Sequence, residues 1–142
     1  MVVSEIYEKI PHRPPFLWVD RVVSIEDATI VAEKYFPPDL DIYEGHYPDN
    51  PITPGVILCE AVFQAGALLI ADLLKKEGRD ASGVPVLTRI YGARFKRLVK
   101  PGETVRLVAR LKEVIGTAWM LKGKVMLGDK VAVSVEFACT LS

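Results

Sequence analysis

The chain has 142 residues, half of them hydrophobic and a quarter charged, with 18 Lys+Arg set against 18 Asp+Glu for a formal net charge of +0. That length suits a single domain over residues 1–142, able to bury most of its apolar surface without disulfides or metal. The charge balance argues against nucleic acid as a bulk ligand.

The two cysteines, Cys59 and Cys139, lie in apolar segments and read as reduced core thiols of a soluble cytoplasmic protein. The N-terminus, MVVSEIYEKI, is charged and lacks the apolar centre of a signal peptide. The longest unbroken apolar run, 65–71, is too short to span a membrane.

In chain order, residues 4–10 suggest a short helix capped by Ser4 and ended by Pro11. "PHRPPFLWVDRV" reads as a loop running into a strand. Residues 22–36 are rich in β-branched side chains and read as a hairpin turning near 26–28. Residues 37–51 form a long loop rich in Pro, Asp, Asn and Gly, and such loops often carry function.

The clearest element is a helix over 54–77. Thr53 stands at the N-cap, Pro54 at the first helical position and Gly78 past the end. Its length is roughly 36 Å at ~1.5 Å per residue. Between Val56 and Ala71 its only polar side chains are Glu60 and Gln64, so it is buried on nearly all sides.

The remainder reads as strands. One covers 86–96. "KPGE" at 100–103 makes a type II turn on Pro101 and Gly102. In the next strand Val105, Leu107, Ala109 and Leu111 face one way. A last pair, 118–127 and 131–141, flanks the turn "GDK", and Val131, Val133, Val135, Phe137, Cys139 and Leu141 alternate strictly. The fold class is therefore α+β: about five or six antiparallel strands curled around one long central helix. Leftover apolar surface favours a dimer through edge strands or the helix flank.

The polar residues of "GHYPDNPITPGVILCEAVFQ" carry the chemistry. Glu60 sits in an apolar run, and burial would keep its carboxyl protonated, ready to act as an acid. Gln64, four residues on, shares its face and can orient it. His46 lies in the loop eight residues before the helix and can serve as a base. Gly55 and Val56 offer free backbone N–H groups at the positive end of the helix dipole, suited to an oxyanion. Thr53 Oγ would take one of the other N–H groups.

His12, in "PHR", reads as a loop residue bonded to backbone. Cys59 points away from Glu60 around the helix and belongs to the core. No zinc spacing, nucleophile elbow, P-loop or dinucleotide fingerprint occurs. A base, an acid and helix-terminal N–H groups suit proton abstraction beside a carbonyl, with loss of a β-leaving group.

"PHRPPFLWVDRV", "GHYPDNPITPGVILCEAVFQAG" and "ARFKRLVKPGETV" resemble, in the same order, the (3R)-3-hydroxyacyl-acyl-carrier-protein dehydratases of fatty acid synthesis, FabZ type. The resemblance covers nearly the whole chain. It implies a hotdog fold, dimers often assembled as trimers of dimers, and no metal or organic cofactor.

It also implies that His46 and Glu60 are the catalytic pair, meeting across the dimer from opposite protomers. The Gly55 and Val56 N–H groups would polarise the thioester carbonyl. Phe16, Trp18 and Phe63 are candidates for an acyl tunnel. Arg94, Lys96 and Arg97, with Lys100 behind, are candidates for docking the acidic carrier protein. Glu at position 60 favours simple dehydration over the sister family, which also isomerises and carries Asp there.

Pro14, Trp18, Asp49 and Thr53 depart from the family pattern. The first two bear on the acyl pocket. Asp49, if near His46, would favour its imidazolium. Two other functions fit the same fold: an acyl thioesterase that uses an acid to activate water, and a non-catalytic acyl-binding subunit.

Overall fold

The computed structural model describes residues 2–79 and 83–142. They form, in chain order, α1 (Val3–Lys9), β1 (Arg21–Glu26), β2 (Thr29–Tyr35), α2 (Ile42–Gly45), α3 (Gly55–Lys76), β3 (Pro85–Phe95), β4 (Thr104–Ile115), β5 (Ala118–Leu127) and β6 (Lys130–Leu141). The strands make one six-stranded sheet in the order β1-β2-β4-β5-β6-β3, and every neighbouring pair is antiparallel. This is the expected strand set around one long helix, with the expected short helix near the N-terminus and one addition, α2.

The turns follow local chemistry. Between β1 and β2, Asp27 and Ala28 both take positive φ, 53° and 56°, the pattern of a two-residue hairpin turn. Gly102, at φ 86°, supplies the left-handed position of the type II turn before β4. Helix α3 ends on a complete Schellman motif. Gly78 N–H bonds Lys75 O at 3.1 Å and Arg79 N–H bonds Leu74 O at 3.0 Å, with Gly78 at φ 68°.

Two caps differ from expectation. Ser4 lies inside α1, whose N-cap is Val2 with no side-chain bond. Thr53 does not cap α3. Pro54, which has no polar side-chain atom, holds the N-cap position, and the Thr53 hydroxyl bonds the Tyr43 phenol at 2.6 Å. The loop at 37–51 is not featureless, since it contains the single turn of α2.

The sheet wraps α3. Leu107 pairs with Val125, which pairs with Val133; Ala109 pairs with Gly123, which pairs with Val135. All six are buried on the helix side. Close approach depends on two glycines. A Cβ on Gly66 would stand 2.9 Å from the Phe137 ring, and one on Gly123 would collide with Val62. By length and composition α3 could cross a membrane, a property that counting unbroken runs missed; most of it is buried inside the sheet.

Edge strand β3 is exposed at every residue but Pro85. It carries Val86, Leu87, Ile90, Tyr91 and Phe95 on its open surface.

Cys59 and Cys139 are free and buried. Burial pushes both thiols up, and with the Glu60 carboxylate adding to it the Cys139 thiol reaches about 12. The unfolded thiol ionises near the usual 9.0, so the folded state alone keeps its proton above that pH. The stabilisation is whole below pH 9 and disappears as pH rises toward 12. Denaturation at pH 7 and above pH 10 should show Cys139→Ala losing less stability with pH than wild type. The difference should approach at most ~1.4 kcal/mol per pH unit.

Candidate active site

His46 follows the last residue of α2 as its C-cap. Its Nδ1 lies 3.0 Å from the Ile52 carbonyl oxygen. A carbonyl can only accept, so Nδ1 carries the proton and Nε2 of the neutral ring keeps its lone pair, as a base requires. The Ile52 N–H bonds back to the His46 carbonyl at 3.0 Å, and the Tyr47 ring stacks on the imidazole at 4.2 Å. The ring is therefore held at one nitrogen and on one face, and its backbone by the Ile52 N–H. Asp49 is exposed, and the imidazole takes its fixed partner from Ile52 rather than from that carboxylate.

Nine residues after His46, α3 begins at Gly55. Ile57 and Leu58 N–H groups both bond the Pro54 carbonyl, which leaves the Gly55 and Val56 N–H groups outside the helical ladder. The space beside the Gly55 Cα is filled. A Cβ on Gly55 would stand 2.6 Å from the Phe95 ring, so the end of β3 packs directly on the helix start.

Glu60 and Gln64 form the polar seam of α3. Gln64 is 1% exposed and uses its whole amide. Its Nε2 donates to Glu60 Oε2 and to Phe16 O, both at 2.9 Å, and its Oε1 accepts from Trp18 N–H at 2.7 Å. The segment before β1 is thus tied to the helix at the carboxylate. Glu60 is less enclosed than its apolar neighbours implied, with its side chain 25% exposed.

Glu60 opens on a cavity of about 220 Å³ shared with His12, Phe63, Gln64, Val86, Leu87 and Cys139, among others. The expectation for His12 was wrong. Its ring does not bond to backbone: Nε2 faces Glu60 Oε2 at 3.9 Å, and the buried Nδ1 has no hydrogen-bond partner among the described residues. The only hint in the sequence was that the chain has two histidines; bringing His12 to Glu60 takes the 48-residue span from Phe16 to Gln64.

The remaining candidates divide. Phe63 lines the Glu60 cavity and packs on Phe137 at 4.7 Å. Phe16 is 50% exposed. Trp18 is buried but faces a different cavity, about 340 Å³, bounded also by Pro14, Lys34 and Leu40. Arg94 and Lys96 line one cavity of about 480 Å³ on the outer face of the sheet, with Lys122 and Glu136. Lys96 also borders a second, of about 360 Å³, with Arg110, Lys122 and Lys124. Arg97 is exposed and borders neither. Arg110, Lys122 and Lys124 come from β4 and β5, and strand alternation within β3 could not place them there.

The family profile described as a FabA-like domain matches residues 10–136. The chain is 39% identical over 142 residues to the 3-hydroxyacyl-[acyl-carrier-protein] dehydratase FabZ of Verminephrobacter eiseniae, covering 99% of this chain and 94% of the relative. It is 36% identical to the FabZ of Clostridium perfringens, covering 96% and 95%. Its backbone is similar, at TM-score 0.79 and 15% identity, to a chain of the dehydratase heterocomplex ApeI:P from Xenorhabdus doucetiae, covering 96% of this chain and 90% of that one. Similarity that covers nearly the whole chain, from the His46 loop through the helix start to Glu60 and Gln64, leads to one conclusion: this chain belongs to the FabA-like family, within its FabZ-type dehydratases.

Proposed function

We propose that the protein is a hydro-lyase that converts a (3R)-3-hydroxyacyl thioester on acyl carrier protein to the trans-2-enoyl thioester in fatty acid synthesis, acting in the cytoplasm. The observation that carries this reading is the His46 ring, whose Nδ1 is held by the Ile52 carbonyl at 3.0 Å. In the neutral ring Nε2 then holds the lone pair in a fixed direction, and the helix that follows in the chain starts with two N–H groups outside its ladder.

In the forward direction Nε2 of His46 takes the proton alpha to the thioester carbonyl. The enolate oxygen accepts hydrogen bonds from Gly55 and Val56. The β-hydroxyl leaves with a proton from Glu60, directly or through water, so one water departs and the carbon–carbon double bond forms. The proton on His46 then returns to Glu60 through solvent. Gln64 orients the carboxyl, and the apolar wall at Phe63 accepts the acyl chain.

The working unit in this reading is a homodimer. Strand β3 has an unpaired edge and apolar side chains on its open surface, the features that pair with a second strand. Its Val86 and Leu87 also wall the Glu60 cavity, so a copy docked there would reach the carboxylate. The cationic outer face, with Arg94 and Lys96, suits an acidic carrier protein.

His46→Ala and Glu60→Gln should each lower enoyl formation about 100-fold or more, with circular dichroism unchanged. Release of free thiol without enoyl product would instead identify a thioesterase. Co-expressing the two variants tests the shared site. A mixed dimer keeps one intact pair if His46 and Glu60 come from opposite chains, so random mixing should restore about a quarter of wild-type activity. A mixture as inactive as either variant would place the pair on one chain. Replacing Arg94 and Lys96 by Glu should raise KM for acyl carrier protein substrates about tenfold while leaving a small thioester unaffected.

A further inference from the structure

Tyr43 and Thr53 form a buried polar pair. Their oxygens are 2.6 Å apart, and the residues are 6% and 4% exposed. Tyr43 belongs to α2, whose C-cap is His46. Thr53 precedes Pro54, whose carbonyl starts α3. Two other bonds close the intervening loop, and both join His46 to Ile52. The Tyr43–Thr53 bond extends that tie to the residue that enters the helix.

The backbone of Thr53 is fixed as well, its N–H held by the Val99 carbonyl at 2.8 Å. Thr53 therefore enters α3 tied on both sides, by its hydroxyl to α2 and by its N–H to the segment between β3 and β4. No side chain caps α3, so the N–H groups of its first turn take no side-chain bond.

We propose that the Tyr43–Thr53 hydrogen bond is a positioning clamp, which sets the His46 loop, and with it the imidazole, against the start of α3. The clamp rests on the dehydratase reading, and touches no substrate itself. Removing either hydroxyl frees the two segments to shift. That shift weakens transition-state stabilisation more than substrate binding.

The test is steady-state kinetics of the full chain on a (3R)-3-hydroxyacyl thioester for wild type, Thr53→Val, Thr53→Ser, Tyr43→Phe and the Thr53→Val/Tyr43→Phe double variant. Thr53→Val and Tyr43→Phe should each lower kcat about tenfold, toward the ~100-fold that a misplacement of ~1 Å costs, with KM within about twofold. Thr53→Ser should keep at least half of wild-type kcat. The double variant should be no slower than the slower single, since both remove the same bond. Undiminished kcat in the singles, multiplicative losses in the double, or losses that match only the unfolded fraction would overturn the clamp.

A substrate-free readout separates this from the reaction itself. The Nδ1–H signal of His46 in nitrogen-edited NMR should persist in wild type and Thr53→Ser, and be lost to exchange in Thr53→Val and Tyr43→Phe. If wild type forms no enoyl product, the dehydratase reading fails and this signal alone judges the clamp; its persistence in both single variants overturns it.

Discussion

Everything in this molecule follows from the need to cover α3. A helix with apolar side chains on nearly every face has no stable surface position in water. One flat sheet could cover only one side of it. The six strands therefore curl, and the inward rows of β4, β5 and β6 close on the helix. Gly66 and Gly123 set how near the two can come, because a side chain at either would meet Phe137 or Val62. The same constraint leaves β3 at the edge of the sheet, paired with β6 on one side only and carrying apolar residues on its open surface.

A helix so enclosed can hold polar groups only where each is satisfied. Gln64 meets that requirement by using both amide donors and its acceptor on Glu60, Phe16 and Trp18. The consequence is local to Glu60: the segment that carries His12 is drawn over the helix at the carboxylate, and His12 joins the lining of the cavity there. Polar satisfaction and site assembly are one event, because the only bonding partners within reach are the loop backbone and the carboxylate itself.

The His46 end of the site uses local bonds instead. His46 and Ile52 are six residues apart and satisfy each other by side chain and backbone, so that loop is closed by contacts near in sequence. Tyr43 and Thr53 then bind it to α3. The two halves differ in kind: a short loop closed by its own hydrogen bonds, and a carboxylate whose surroundings come from distant parts of the chain.

That difference marks how far the sequence could be read. Short-range physics determined α3 between Thr53 and Gly78, the turns at Asp27 and Gly102, the alternation of β4 and β6, and the spacing of His46, Gly55 and Glu60 along one stretch. These depend on helix periodicity, strand alternation and the φ preferences of glycine, all of which act over a few residues. Only the tertiary structure decided which partner the Thr53 hydroxyl takes, that His12 faces Glu60, that Phe95 packs on Gly55, that Trp18 turns to a separate cavity, and that Arg110, Lys122 and Lys124 join Lys96. Each of those is a competition between groups far apart in the chain. A hydroxyl can cap a helix or bond a phenol with similar energy, and packing of the elements around α3 settles which partner is within reach.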